Sequence, residues 1–312
     1  MVVVDLRTFE IPLRLRFRGV TRRSGILVSG PAGWGEFSPF PEYGPELTRH
    51  WRAAATEAAT GVWPPPVRSS IPVNVTVPAT SPERAHAIVA GSGCTTAKVK
   101  VGEGDDTARV EAVRDALGPA GKIRLDVNAG WDLDEAARQI RCLAKFDLEY
   151  VEQPVGSAAD MARLRRLVDV PLAADELVRF SEDPHHLQLR EVADLIVLKV
   201  QPLGGVGRAF DIAEAIGLPA VVSSAVETSV GLAAGLALAA ALPELPYACG
   251  LATALLLEGD VVADPLLPAG GHIELRRPVP CDALGRWEAG DDERRCLLAR
   301  WEAAAAPQAT RP

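Results

Sequence analysis

From residue 71 onward the chain repeats one unit, a short apolar run followed by a stretch with helical spacing. The runs are IPVNVTV (71–77), AKVKV (97–101), KIRLDVN (122–128), LEYVEQP (148–154), PLAADE (171–176), LIVLKV (195–200), AVVSS (220–224) and YACGL (247–251). They recur about every 22 to 28 residues, the length of one strand plus a returning helix. The intervening stretches, such as DDTARVEAVRDALG (105–118), DLDEAARQIRCLAKF (132–146) and GVGRAFDIAEAIG (205–217), read as those helices. Several open on Ser or Asp, as in TSPERAHAIVA and WDLDEAARQI, the residues that cap free N–H groups at a helix start. Eight runs with seven helices between them predict an α/β fold, a (β/α)7β TIM-like barrel whose last helix is missing. An open doubly wound sheet has the same alternation, although IPVNVTVPATSPE carries no G-x-G-x-x-G after the first strand.

The flanks follow another pattern. Residues 1–38 read as strands, VVVDLRTFEIPLRL and GILVSGPAGWGEFSP, with RFRGVTRRSG (16–25) as a loop between them. PELTRHWRAAATEAATG (45–61) reads as a helix, and WPPPVRSS (63–70) as a stiff connection. After 255 the repeat stops. GGHIELRRPVPCD (270–282) is expected to be a final strand returning to the N-terminal domain, and AAAAPQATRP to fray. The expected domains are therefore 1–70, rejoined by about 255–312, and a barrel over 71–254.

A net charge of −8, without a basic run or an aromatic ladder, argues against nucleic acid or an anionic membrane as partner. The longest apolar run, GLAAGLALAAAL (231–242), is too short to span a bilayer and reads as a buried helix. MVVVDLRTFE has an early acid and no long apolar core, so it does not read as a signal peptide. The cysteines, Cys94, Cys142, Cys249, Cys281 and Cys296, are scattered without a C-x-x-C. They read as reduced, buried thiols of a cytoplasmic protein. The expected partner is a small-molecule carboxylate.

The chemistry lies at the strand ends. The second run ends in Lys98 and Lys100, the third in Asp126, the fourth in Glu152, the fifth in Asp175 and the sixth in Lys199. The seventh ends in Ser223 and Ser224. In a barrel the C-terminal strand ends face the active site. Period-2 spacing puts Arg124, Asp126 and Asn128 on one strand face, and likewise Leu195, Val197 and Lys199. Three converging carboxylates repel unless a cation joins them. Oxygen ligands without nearby His or Cys favour Mg²⁺ over zinc.

Lys98 and Lys100 point to the same side of their strand, roughly 6.5 Å apart. At an effective dielectric of about 20 they repel by roughly 2.5 kcal/mol, which favours the neutral amine and so a base. Each residue alone has a plainer explanation. K-x-K is common on exposed strands, Asp126 or Asp175 could cap a helix, and Glu152 could simply end a strand. Lys199, ending an apolar strand, needs buried partners. The joint pattern on consecutive strands is far more specific. His185 and His186 read as a solvated helix face, and Ser24 has no histidine placed to form a triad.

The segments TAKVKVG, RLDVNAGW, YVEQP, LAADE, LIVLKVQPLGG and VVSSAVETSVGL, over roughly 95–235, resemble the enolase superfamily and within it the o-succinylbenzoate synthases. GWGEFSPFPEYGPE adds to the resemblance. It implies a small α+β N-terminal capping domain, completed by the C-terminal segment, over a (β/α)7β barrel. It implies Mg²⁺ on Asp126, Glu152 and Asp175, Lys100 as base, Lys199 as the cation beside an enediolate, and Lys98 tuning Lys100. The implied reaction is syn loss of water from 2-succinyl-6-hydroxy-2,4-cyclohexadiene-1-carboxylate. Ser223, Ser224, Arg124, Asn128 and Gly250 are the candidate substrate contacts, and Arg18, Arg22 and Arg23 of the 16–25 loop could meet the succinyl group. Related chemistry would serve an N-succinylamino acid racemase, a dipeptide epimerase or a cycloisomerase. A different class, a non-catalytic barrel scaffold, would have no reason to keep these charges.

Overall fold

The computed structural model describes residues 5–305. Residues 306–312, where the chain was expected to fray, and residues 1–4 lie outside the described residues. The strands β1 (Asp5–Phe17), β2 (Val20–Gly30) and β3 (Gly33–Phe37) form an antiparallel sheet in that order. Helix α1 (Pro45–Thr60) lies across it on its alanine face. The approach is closest at Gly35, where a Cβ would stand 2.1 Å from the Ala55 carbonyl oxygen.

Segment 16–25 is not a loop. It is the tip of the β1–β2 hairpin, turned at Arg18 and Gly19, with φ of 47° and 81°. Two successive left-handed residues give the turn whose twist suits flanking strands. Strand alternation then separates the arginines: Arg22 is exposed and paired with Glu10, whereas Arg23 is buried.

The first apolar run divides between two sheets. β4 (Ser70–Pro72) leaves the N-terminal part, and β5 (Val75–Val77) begins a parallel sheet. That sheet runs on through β6 (Thr96–Lys100), β7 (Lys122–Asp126), β8 (Leu148–Glu152), β9 (Leu172–Ala174), β10 (Leu195–Lys199) and β11 (Ala220–Ser223), each beside the next. The expected eighth strand is reduced to two bridging residues. Cys249 pairs with Val73 and Gly250 with Ser223, so the curled sheet closes on itself. The doubly wound alternative is excluded by that closure.

Helices α2 (Pro82–Ala90), α3 (Asp106–Leu117), α4 (Leu133–Leu143) and α5 (Ala158–Leu164) follow successive strands. Side chains of Ser81, Asp105, Asp132 and Ser157 cap them. After β9 the helix shrinks to the single turn α6 (Glu176–Arg179), and β10 is followed by α7 (Val200–Leu203) and α8 (Val206–Ile216). Helix α9 (Ser229–Ala241) is buried at every residue. Among the described residues no helix is long and apolar enough to cross a membrane.

β12 (His272–Glu274) pairs antiparallel with β4 and not with the N-terminal sheet. The return to that sheet is made by α10 (Asp291–Ala303), whose Trp301 meets Phe37 edge-on at 5.3 Å. The cysteines depart from expectation. All five are free, yet only Cys94 and Cys249 are buried, while Cys142 and Cys296 lie on outer helix faces.

Candidate active site

The parallel register brings the strand ends level. Lys100 stands beside Asp126, Asp126 beside Glu152, and Lys199 beside Ser223. Asp175 lies one residue past β9, at the N-cap position of α6, but its side chain makes no capping bond. Its neighbours are set by Gln153, whose Oε1 accepts the N–H groups of Asp175 (3.0 Å) and Leu177 (3.2 Å). Gln153, Asn128 and Ala129 all hold positive φ, an uncommon backbone for such residues that clusters at functional loops.

All three carboxylates are sealed from solvent, with Asp126 at 2 % and Glu152 and Asp175 at 0 % exposure. Lysines stand among them. Lys98 donates to both Glu152 oxygens (3.1 and 2.8 Å) and lies 3.2 Å from Asp126 Oδ2. Lys100 donates to the same Asp126 oxygen at 2.6 Å and to Asn128 Oδ1. Lys199 pairs with Asp175 Oδ2 and lies 3.9 Å from Glu152.

The two lysines of K-x-K are thereby made unlike. Burial opposes charge on Lys98, but Glu152 and Asp126 outweigh it and hold its ammonium well above the ordinary value. Burial is also the largest influence on Lys100; with repulsion from Lys98 it outweighs Asp126, so this amine sits below its ordinary value. Desolvation therefore ranks above the lysine–lysine repulsion inferred from spacing.

Among the described residues no three Asp, Glu, His or Cys side chains gather closely enough to hold a metal by themselves. The ammonium groups occupy the space between the acids. The donor chemistry nevertheless fits a hard divalent cation. It consists of three buried carboxylates on adjacent strands, and neither His nor Cys lines the cavity. Glu152 shows the need for positive charge, being pushed up by burial and then by Asp126.

The cavity is walled by Lys98, Lys100, Asp126, Asn128 and Lys199 below, and by Phe17, Arg18, Phe40 and Tyr43 from the N-terminal part above. Ser223 and Ser224 line it too, although Ser224 is bonded to Thr253 at 2.6 Å. Gly250 does not line it; a Cβ there would meet Ser223 Oγ at 2.6 Å, so Gly250 makes room for that serine. Arg124 is also absent from the lining. It is fully enclosed deeper in the barrel, bonded to Glu149 (2.6 Å), Asn74 (3.0 Å) and the Ala248 carbonyl (2.5 Å), beneath Tyr150. Its expected contact with substrate is corrected accordingly: parity faces it inward, but one layer too low. Arg23 is likewise turned away, onto the Val226 and Ser38 carbonyls. His185 and His186 lie on a short turn (184–186) and do not line the cavity, and Ser24 bonds Glu293.

Sequence reasoning missed Phe17, Phe40, Tyr43, Gln153 and Arg179. Only Arg179 left a legible signal, four residues after Asp175 in ADELVR and so one helical turn on.

Family models agree with this geometry. "Enolase C-terminal domain-like" matches residues 81–280, and "Enolase N-terminal domain-like" matches 8–59. The chain is 63% identical over 276 residues to the o-succinylbenzoate synthase of Thermobifida fusca, covering 87% of each chain. It is 46% identical over 306 residues to that of Mycobacterium marinum, covering 96% of this chain and 92% of the relative. Among solved structures, the substrate-liganded L-Ala-D/L-Glu epimerase of Bacillus subtilis superposes with a TM-score of 0.74 at 26% identity, over 90% of this chain and 98% of the other.

Proposed function

The chain belongs to the enolase superfamily and, within it, to the o-succinylbenzoate synthase family, and from that premise we propose that it dehydrates 2-succinyl-6-hydroxy-2,4-cyclohexadiene-1-carboxylate to o-succinylbenzoate. It is a hydro-lyase of menaquinone biosynthesis, dependent on Mg²⁺, and its free cysteines suit the cytoplasm. One observation carries the reading of the site. Lys100 and Lys199 border one cavity, either side of three buried carboxylates.

Asp126, Glu152 and Asp175 would hold the Mg²⁺, which when bound supplies Lewis-acid stabilisation of charge on the substrate carboxylate. Lys100, kept below its ordinary value, removes the proton α to that carboxylate as a neutral amine. Lys199 lies across the cavity and offers positive charge to the enediolate. In a syn elimination the ammonium formed at Lys100 is on the face from which the hydroxyl departs, and it returns the proton to give water. Phe17, Phe40 and Tyr43 close the top and exclude solvent. Ser223, which lines the cavity and, unlike Ser224, is not bonded to Thr253, is the proposed contact for the succinyl end.

The second reading is an N-succinylamino acid racemase or dipeptide epimerase, favoured by a lysine on each side of the cavity. Assaying the purified protein with the cyclohexadiene substrate and with N-succinylamino acids decides between them. Dehydration should exceed racemisation by orders of magnitude; racemisation without dehydration would reverse the assignment.

A further inference from the structure

Arg179 ends the single turn α6 and is buried, with 5 % of its surface exposed. Its guanidinium reaches three acceptors, two at the start of its own turn and one in the N-terminal part. Nε donates to Asp175 Oδ1 at 3.0 Å, Nη2 to Glu176 Oε1, and Nη1 to the Tyr43 hydroxyl oxygen at 2.9 Å. Each acceptor leads onward. Asp175 presents its other oxygen to Lys199. Glu176 Oε1 accepts from Asn128 Nδ2 at 3.0 Å, and Asn128 Oδ1 accepts from Lys100. Tyr43 also accepts from Arg18 Nη2 at 3.1 Å, at the tip of the β1–β2 hairpin. A continuous chain of hydrogen bonds thus runs from Lys100 to Lys199 through Arg179, with a branch into the N-terminal part above the cavity.

Two guanidinium groups on one phenol oxygen repel each other. Here each has its own acid: Asp175 and Glu176 for Arg179, and Glu42, 3.6 Å away, for Arg18. A fixed planar fork meets three acceptors at once, which a lysine ammonium on a flexible stem does not reproduce. Because Asp175 makes no capping bond to its own helix, Arg179 and Lys199 are what orient its carboxylate.

We propose that Arg179 is a positioning residue, fixing the Asp175 carboxylate as a metal ligand and tying it through Tyr43 to the part of the chain that covers the substrate. This rests on the reading of Asp175 as a ligand. The opposing view makes Arg179 a mere counter-ion to the acids, in which case its removal would leave divalent-cation binding unchanged or tighten it, since a positive charge has gone.

The test is Mn²⁺ binding to the full-length, substrate-free protein, followed by electron paramagnetic resonance, for the parent and for D175N, R179M, R179K and Y43F. Loss of an outer partner of a metal ligand costs about 10- to 100-fold in affinity. R179M should show that loss. R179K, which keeps the charge without the fork, should be at least several-fold weaker, and it carries the test should R179M not fold. Y43F should lose a few-fold although Tyr43 touches no carboxylate. Binding within twofold of the parent, or tighter, in R179M and R179K would overturn the proposal while D175N is weakened. Unchanged binding in D175N would instead overturn the ligand assignment beneath it, and unchanged binding in Y43F alone would remove the link to the cover.

Discussion

Lys98 and Lys100 leave one face of β6 two residues apart and meet different partners, two carboxylates for Lys98 and one carboxylate with an amide for Lys100. In the proposed mechanism that difference divides their roles. Lys100→Ala should lose about 10²- to 10⁴-fold or more in kcat, the usual contribution of a positioned base. With an α-deuterated substrate it should show no exchange with solvent, while Lys199→Ala, which keeps the base, should retain some. Equal exchange in the two variants would contradict the division. Lys98→Ala acts through charge. With Lys100 as the proposed base, activity requires the neutral amine and should rise with pH through that group's pKa; removing a repelling neighbour moves this rise to higher pH. A pH profile of kcat/KM that shifts downward or stays fixed would count against it. Gly250→Ala tests a contact of shape, because the new methyl must displace the Ser223 hydroxyl. KM should rise more than kcat falls, and an unchanged KM would remove Ser223 from substrate binding. The charged strand ends were visible in the sequence because buried parallel strands are otherwise apolar, so a terminal Lys or Asp stands out. Arg124 was misread because strand parity gives the side of a strand and not the depth along the barrel axis.

The N-terminal elements and the barrel are joined by acids that cap helices across the boundary. Glu57 of α1 accepts the N–H groups of Val206 (2.6 Å) and Gly207 (2.9 Å) at the start of α8. Glu36 of β3 accepts from Thr228 N–H and hydroxyl and from Gly231 N–H at the start of α9. Helix α8 could not advertise this in its own sequence, because its cap is supplied from 149 residues away; α9 has a local cap in Thr228, to which Glu36 adds from 192 residues away. Losing Glu57 as Ala should cost about 1 kcal/mol, the usual cost of a lost N-cap, read as a lower urea midpoint with an unchanged slope. Glu36 adds a pH dependence. Burial pushes its carboxyl up to about 7, against hydrogen bonds from Ser38 and Thr228. The folded state then holds this proton more tightly than the unfolded chain, so stability falls as pH rises from about 4.5 to 7, by about 3 kcal/mol from this group. Glu36→Gln should flatten that part of the curve relative to the parent. Parallel curves would mean that the surrounding donors keep Glu36 ionised. Helix-length patterns and Ser or Asp caps made most barrel elements legible. The 16–25 segment was not, since its arginines and glycines suit a loop and a hairpin tip equally. The eighth strand was overread because YACGL needed only two bridging residues to close the sheet.

At the scale of the whole molecule, the barrel supplies the charged floor and the N-terminal part supplies the aromatic cover, so the cavity exists only where the two meet. The C-terminal helix holds that cover. Arg300 donates to the carbonyls of Phe40 (2.9 Å) and Tyr43 (3.0 Å), and Arg52 donates to the Trp301 carbonyl while lying 4.1 Å over its ring. These contacts span some 250 residues of sequence and no local pattern foretells them, whereas the barrel's repeat is local and therefore readable. In the proposed mechanism a cation held by the floor acids and a lysine base act together on one carboxylate substrate. The most direct test is the rate of o-succinylbenzoate formation from the cyclohexadiene substrate by the parent and by Lys100→Ala, each with Mg²⁺, after chelation by EDTA, and after Mg²⁺ is restored. The parent is expected to lose turnover on chelation and regain it with Mg²⁺, and Lys100→Ala to stay about 10²-fold or more below the parent throughout. Parent turnover that persists without the cation, or Lys100→Ala working at the parent's rate, would contradict it.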